Sequence, residues 1–85
     1  MAVSVVFAVY GALKDGDPDR TQAANVTAAL QRAIDSRVGE VVRIDNSNMG
    51  RDPAPGVKKH FGALVDVNGT RRAFACEENQ TIDFT

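Results

Sequence analysis

With 85 residues the chain has room for a single domain, 1–85, and for one thin core. A hydrophobic share of 44% and a charged share of 25% exclude a disordered chain, and a net charge of −1 supplies no basic excess for the phosphate contacts that dominate nucleic-acid affinity. The lone Cys76 excludes an internal disulfide framework and a cysteine-based zinc site, so the domain stands on packing and is expected in the cytoplasm.

The apolar start, Ala2 to Leu13, has no Lys or Arg before it and is too short to span a bilayer. It therefore reads as part of the fold, with no membrane partner. Ser4 to Ala12 is the first predicted strand. Period two puts Val3, Val5, Phe7 and Val9 on one face and Val6, Ala8 and Tyr10 on the other. Two apolar faces predict a central strand. Lys14 to Ala23, with Gly16 and Pro18, reads as a loop.

Asn25 is a good helix cap, because its side chain accepts from first-turn amides. Val26, Leu30, Ala33 and Ile34 follow at helical spacing, with Gln31, Arg32 and Asp35 opposite, and Gly39 is the expected terminator. Glu40 to Asp45 predicts a second strand on Val41, Val42 and Ile44. Asn46 to Gly56 is a long loop, stiffened where Pro53 and Pro55 restrict their own φ and bias Asp52 and Ala54 to extended backbone.

Lys58 to Val67 and Thr70 to Glu77 flank Asn68-Gly69, the strongest short hairpin signal, because a type I′ turn needs positive φ at both central residues. The two-residue turn fixes the register. One face pairs Val67 with Thr70, Val65 with Arg72, Ala63 with Phe74 and Phe61 with Cys76. The other pairs Asp66 with Arg71, Leu64 with Ala73, Gly62 with Ala75 and His60 with Glu77. Thr81 to Phe84 reads as a last short strand and a candidate free edge.

No chemical constellation rises above its structural alternative. Cys76 and His60 fall on opposite hairpin faces, which argues against a nucleophile–base pair and for Cys76 as a small core residue beside Phe61 and Phe74. His60 opposite Glu77 reads as a surface pair. Asp15, Asp17 and Asp19 alternate like the start of a calcium loop, but Arg20 stands at the glycine position and Val26 at the bidentate glutamate. Asp45, Asn46, Asn48 and Asp52 serve turns as readily as ligands. The acceptor patterns at Asn25, Asn68 and Asn79 coincide with a cap, a turn and a loop. No phosphate-cradling loop or serine elbow occurs. The expectation is no enzyme and no cofactor.

Several segments together carry a resemblance. They are Tyr10-Gly11, Asn25-Val26-Thr27, Asp52-Pro53-Ala54-Pro55-Gly56, Lys59, the Asn68-Gly69 turn, and Glu78 before Thr81-Ile82. In this order the chain resembles a small domain of unknown function from fungal and bacterial proteins, similar to the C-terminal domain of the DnaJ-like subfamily C member eleven proteins. It departs from that pattern in a longer loop after Gly11, in Asn25 where Asp is usual, and in an extra Arg51. The 85 residues hold no J-domain, so chaperone recruitment does not carry over. The resemblance implies a compact β-rich accessory module with no established activity.

The predicted fold is α+β, one short helix packed on a mostly antiparallel five-stranded sheet or incomplete β-sandwich. Starting at Met1, the chain reads as a complete small protein. The leading functional expectation is a protein-interaction module whose binding loop is Asn46, Asn48, Met49, Arg51, Asp52, Pro53 and Pro55, with Met49 as an exposed, adaptable contact. The competing expectation for this loop is a packed crossover. Self-association through a sheet edge is the structural alternative, and a small calcium- or ligand-binding β domain the second.

Overall fold

In a computed structural model of the chain, residues 2–36 and 40–85 are described. The predicted helix terminator Gly39 lies outside them.

The longest strand, β1 (Val3–Leu13), pairs antiparallel on both sides. Its partners are β2 (Thr21–Asn25) and β4 (His60–Val67), and β4 continues through the hairpin into β5 (Thr70–Glu77). The sheet order is β2-β1-β4-β5. A second, two-stranded sheet joins β3 (Val41–Arg43) to β6 (Thr81–Asp83). One helix, α1 (Thr27–Asp35), and a four-residue helical turn, α2 (Asn46–Met49), complete the α+β fold.

The hairpin follows its sequence pair by pair. All eight expected partners, from Val67↔Thr70 to His60↔Glu77, are in register. Asn68 and Gly69 take φ of 51° and 84°, the double positive φ that a type I′ turn requires.

β1 departs from strict alternation. Its register to β4 slips between Val5 and Phe7, so Val6 is the extra residue of a β-bulge. An extra residue reverses which parity faces inward. Before it, Val3 and Val5 pack against the core beside Val67 and Val65. After it, Ala8 and Tyr10 turn inward beside Ala63 and Phe61, and Phe7 and Val9 turn out beside Leu64 and Gly62. The expected common face of Val3, Val5, Phe7 and Val9 is thus split in two.

The predicted loop Lys14 to Ala23 is only partly a loop. A 3-10 turn at Lys14–Gly16, with Asp15 at φ 52° and Gly16 at 72°, reverses the chain, and β2 begins at Thr21. Gly11 makes this return possible. A Cβ there would collide with the Gln22 backbone oxygen and stand 2.5 Å from the Ala23 Cα.

The β2 ladder covers β1 only from Val9 to Leu13. Helix α1 satisfies the earlier backbone. The Val26 amide donates to the Ala8 carbonyl (2.9 Å), and the Ala8 amide donates to Thr27 Oγ1 (3.0 Å). Gln31 clamps the bulge, accepting from the Val5 amide (2.7 Å) and donating to the Val3 carbonyl (3.1 Å). Asn25 Oδ1 accepts from the first-turn amide of Thr27 (3.0 Å), and Val26 occupies the cap position.

Leu30, Ala33 and Ile34 of α1 bury against the inner face of the large sheet, and the β3/β6 ribbon closes the rest. Phe84 is fully buried, with its ring 4.8 Å from that of Phe74. β6, predicted as an edge, pairs with β3 on one side only, Thr81 opposite Arg43, and is an edge strand of the two-stranded sheet.

Candidate functional site

Two regions carry chemistry or exposed apolar surface: the segment 45–59 with its partners, and the outer face of the large sheet.

The first centres on Lys59. Its side chain is 3% exposed, and it is the one buried charged residue among those described. The sequence places it one residue before β4, where the chain enters the core from the Pro-rich segment. Its ammonium donates to the carbonyls of Ala54 (3.0 Å) and Val57 (2.8 Å), and pairs with Asp52 (2.9 Å) and Glu78 (3.5 Å). Glu78 also accepts from the Lys59 amide (3.0 Å), and the Glu78 amide donates to the Lys59 carbonyl (2.8 Å). Burial alone would lower the Lys59 pKa. The hydrogen bond to Asp52 and the charge of Glu78 outweigh it, and the pKa is raised.

Tyr10 lies beside this group, fully buried, and its hydroxyl donates to Asn46 Oδ1 (2.7 Å). Burial, and then the carboxylates of Glu78, Asp45 and Asp52, push its pKa well above the usual tyrosine range. Among the described residues no buried side-chain nitrogen or oxygen lacks a hydrogen-bond partner. The buried polar atoms of the cluster are satisfied from within.

The predicted binding loop therefore divides. Asn46 is committed to Tyr10, and Asp52 to Lys59 and the Ala54 amide. Asn48 lies in α2, where its amide is capped by Asp45 Oδ1 (2.8 Å) and its side chain donates to the Arg43 carbonyl (2.7 Å). Met49, expected as an exposed contact, is 1% exposed and belongs to the core. The reason is α2: one helical turn, ended by Gly50 at φ 79°, swings Met49 inward. Pro53 is half-buried, and Arg51 and Pro55 are exposed. Within this segment Met49, Ala54 and Lys59 are buried, while Arg51, Asp52 and Pro55 stay on the surface. Lys59, Glu78 and Tyr10 had no place in the predicted site. A lysine between two carboxylates distant in sequence gives no local signal.

The second region is the outer face. Phe7 (45% exposed), Leu13 (43%), Leu64 (41%) and Val9 (36%) stand on it. The β-ladders set Gly62 between Val9 and Ala75, Gly11 between His60 and Ala23, and Ala73 beside Leu64. Small residues thus leave a trough between larger apolar ones. At its β1/β2 end lies a groove of about 340 Å³, lined by residues that include Val9, Leu13, Thr21, Ala23 and His60. Charges sit at the rim and are paired there, Asp66 with Arg71 (2.9 Å) and Glu77 with Lys58 (3.6 Å). The sequence signal for this face was present, since β1 is apolar on both sides. A central position in the ladder supplies two hydrogen-bonded neighbours, but it does not cover both faces.

Cys76 is half-buried against the core, opposite Phe61, and His60 faces the other way. Burial first, and then the neighbouring Glu77, push its thiol pKa up. Asp17 serves its turn, accepting from the Asp19 amide (3.0 Å) and pairing with Arg20 (3.4 Å). Among the described residues no group of three or more His, Cys, Asp or Glu is placed to hold a metal, and no helix is long and apolar enough to cross a membrane. Comparison of the chain with protein-family models, with curated proteins and with solved structures found no match.

Proposed function

We propose that this chain is a non-enzymatic, cytoplasmic protein-interaction module that receives an amphipathic helix of a partner on the outer face of its four-stranded sheet. The carrying observation is the row of exposed Phe7, Val9, Leu13 and Leu64 over a floor of glycine and alanine. The inner face of the same sheet already receives α1 against β1, where Ala8 is buried, and the outer face offers a comparable floor of small residues. Ion pairs confined to the rim leave the centre uncharged, which favours an apolar helix face over nucleic acid. The half-buried thiol of Cys76 supports a reducing compartment.

The resemblance to the C-terminal domain of the DnaJ-like subfamily C member eleven proteins is proposed with this reading. Its support is that Tyr10, Asp52, Lys59 and Glu78, which carry it in sequence, meet around the buried Lys59 ammonium and Tyr10 ring.

A photo-crosslinking amino acid at position 64, with position 32 on the exposed side of α1 as control, tests the reading in lysate of the producing cell. Crosslinks from position 64 that vanish with Phe7→Ser, in a variant whose unfolding midpoint is unchanged, are expected. Crosslinks from position 32 but none from 64 would overturn it.

A further inference from the structure

We propose that two copies of this chain join edge to edge through β5, antiparallel about a twofold axis at Phe74, so that the two large sheets become one. β5 is the free edge of the sheet, eight residues long, without proline or bulge. The opposite edge strand is β2, five residues long against eight, and the part of β1 that β2 leaves uncovered is closed by the hydrogen bonds of Val26, Thr27 and Gln31.

The phase of β5 is fixed. In a two-residue hairpin, the flanking Val67–Thr70 pair is the hydrogen-bonded kind, so even-numbered residues bond back to β4 and odd-numbered ones point their amides and carbonyls outward. The Glu77 amide shows this directly, because it donates to Gln80 Oε1 (2.7 Å) and not to β4. Gln80 caps the ladder at that end, and its amide donates back to the Glu77 carbonyl (3.2 Å). Ala73 and Ala75 are left exposed, with outward backbone groups and side chains too small to block an approach.

Charge selects the partner and its direction. β5 carries Arg71 and Arg72 at one end and Glu77 at the other, followed by Glu78. Parallel self-pairing would set Arg on Arg. Antiparallel pairing about Phe74 sets Arg71 of each copy opposite Glu77 of the other, and Ala73 opposite Ala75, with the outward groups of the alanines exchanging hydrogen bonds. Phe74, half-buried in the single copy, meets Phe74 of the second copy on the inner face.

Area gives the reason to pair. Four strands about 4.8 Å apart and roughly 25 Å long present on the order of 500 Å². A standard interface buries about 800 Å² per partner. Joining the sheets through β5 makes one outer face of sufficient size. The inference goes beyond the helix-binding reading; its area argument rests on that reading, while the free edge and the charge pattern of β5 stand without it.

Sedimentation of the full chain across concentration tests it. A reversible monomer–dimer equilibrium is expected. Arg71→Glu and Glu77→Arg should each weaken it about tenfold by setting like charges opposite. An equimolar mixture of the two variants restores both pairs and should give a heterodimer at wild-type affinity. Ala73→Pro removes an outward amide and should abolish the dimer with the circular dichroism unchanged. A chain that stays monomeric, or a dimer that mixing does not rescue, overturns the proposal. The separate readings stay distinguishable, because Leu64→Ser should leave the dimer intact and remove only the helix-binding face.

Discussion

Lys59 and Asp52 stand 2.9 Å apart with the lysine almost wholly out of water, and this pair ties the Pro-rich segment to the residue just before β4. The ammonium has four oxygen partners, two carboxylates and two backbone carbonyls. A buried charge is expensive unless every donor is used, and here the segment is folded around it.

Lys59→Met should therefore destabilise the fold by about 2–4 kcal/mol, because it strands Glu78 and the carbonyls of Ala54 and Val57 together. Urea unfolding checks this. Glu78→Gln keeps a hydrogen-bonding oxygen and should cost less. A Lys59→Met variant as stable as the parent would show that apolar packing alone holds the segment.

Alkaline pH should erode stability. Both Lys59 and Tyr10 have pKa values raised in the folded state, above ordinary values of 10.5 and 10.0. A raised folded pKa means that the unfolded chain releases the proton first. The stabilisation is complete below about pH 10 and is lost as pH rises through the folded values. Urea midpoints at pH 8 and about pH 11 should separate for the parent, and the gap should shrink in Lys59→Met and in Tyr10→Phe. An unchanged gap in both variants would place the titrating group elsewhere.

The two glycines of the β1/β4 region should respond oppositely to alanine. At Gly11 the added methyl meets backbone of β2, which cannot yield without breaking the ladder, and a loss of about 2 kcal/mol or more is expected. At Gly62 the nearest atoms, the Phe74 oxygen and Val9 Cγ1, lie 4.0 Å away, an ordinary contact. Gly62→Ala should leave the unfolding midpoint within about 0.5 kcal/mol of the parent while partly filling the trough of the outer face. Thermal melts of the two variants decide it.

These glycines also mark where sequence reading reached its limit. The hairpin was legible residue by residue because its register depends only on Asn68-Gly69 and on period two. The helix was legible because Leu30, Ala33 and Ile34 recur at its own period. β2 was not, since Thr21 and Gln22 read as loop and only the missing side chain of Gly11, ten residues earlier, makes room for them. The inward turn of Met49 was hidden for a similar reason: a cap by Asp45 and a left-handed Gly50 make α2, a turn too short to show a period. The Lys59 cluster joins residues 10, 46, 52, 59 and 78, and no local pattern links them.

Cys76 offers the sharpest check on whether the chain carries thiol chemistry. The reacting species of a thiol is its thiolate, and burial together with Glu77 holds the Cys76 proton on. The only histidine, His60, projects from the other face of the hairpin and cannot take that proton. Iodoacetamide at neutral pH should therefore modify the folded chain at least about tenfold more slowly than the urea-unfolded chain, where the thiol returns to a pKa near 8.5. Equal or faster reaction in the folded state would reveal an activated nucleophile and reopen the enzymatic reading.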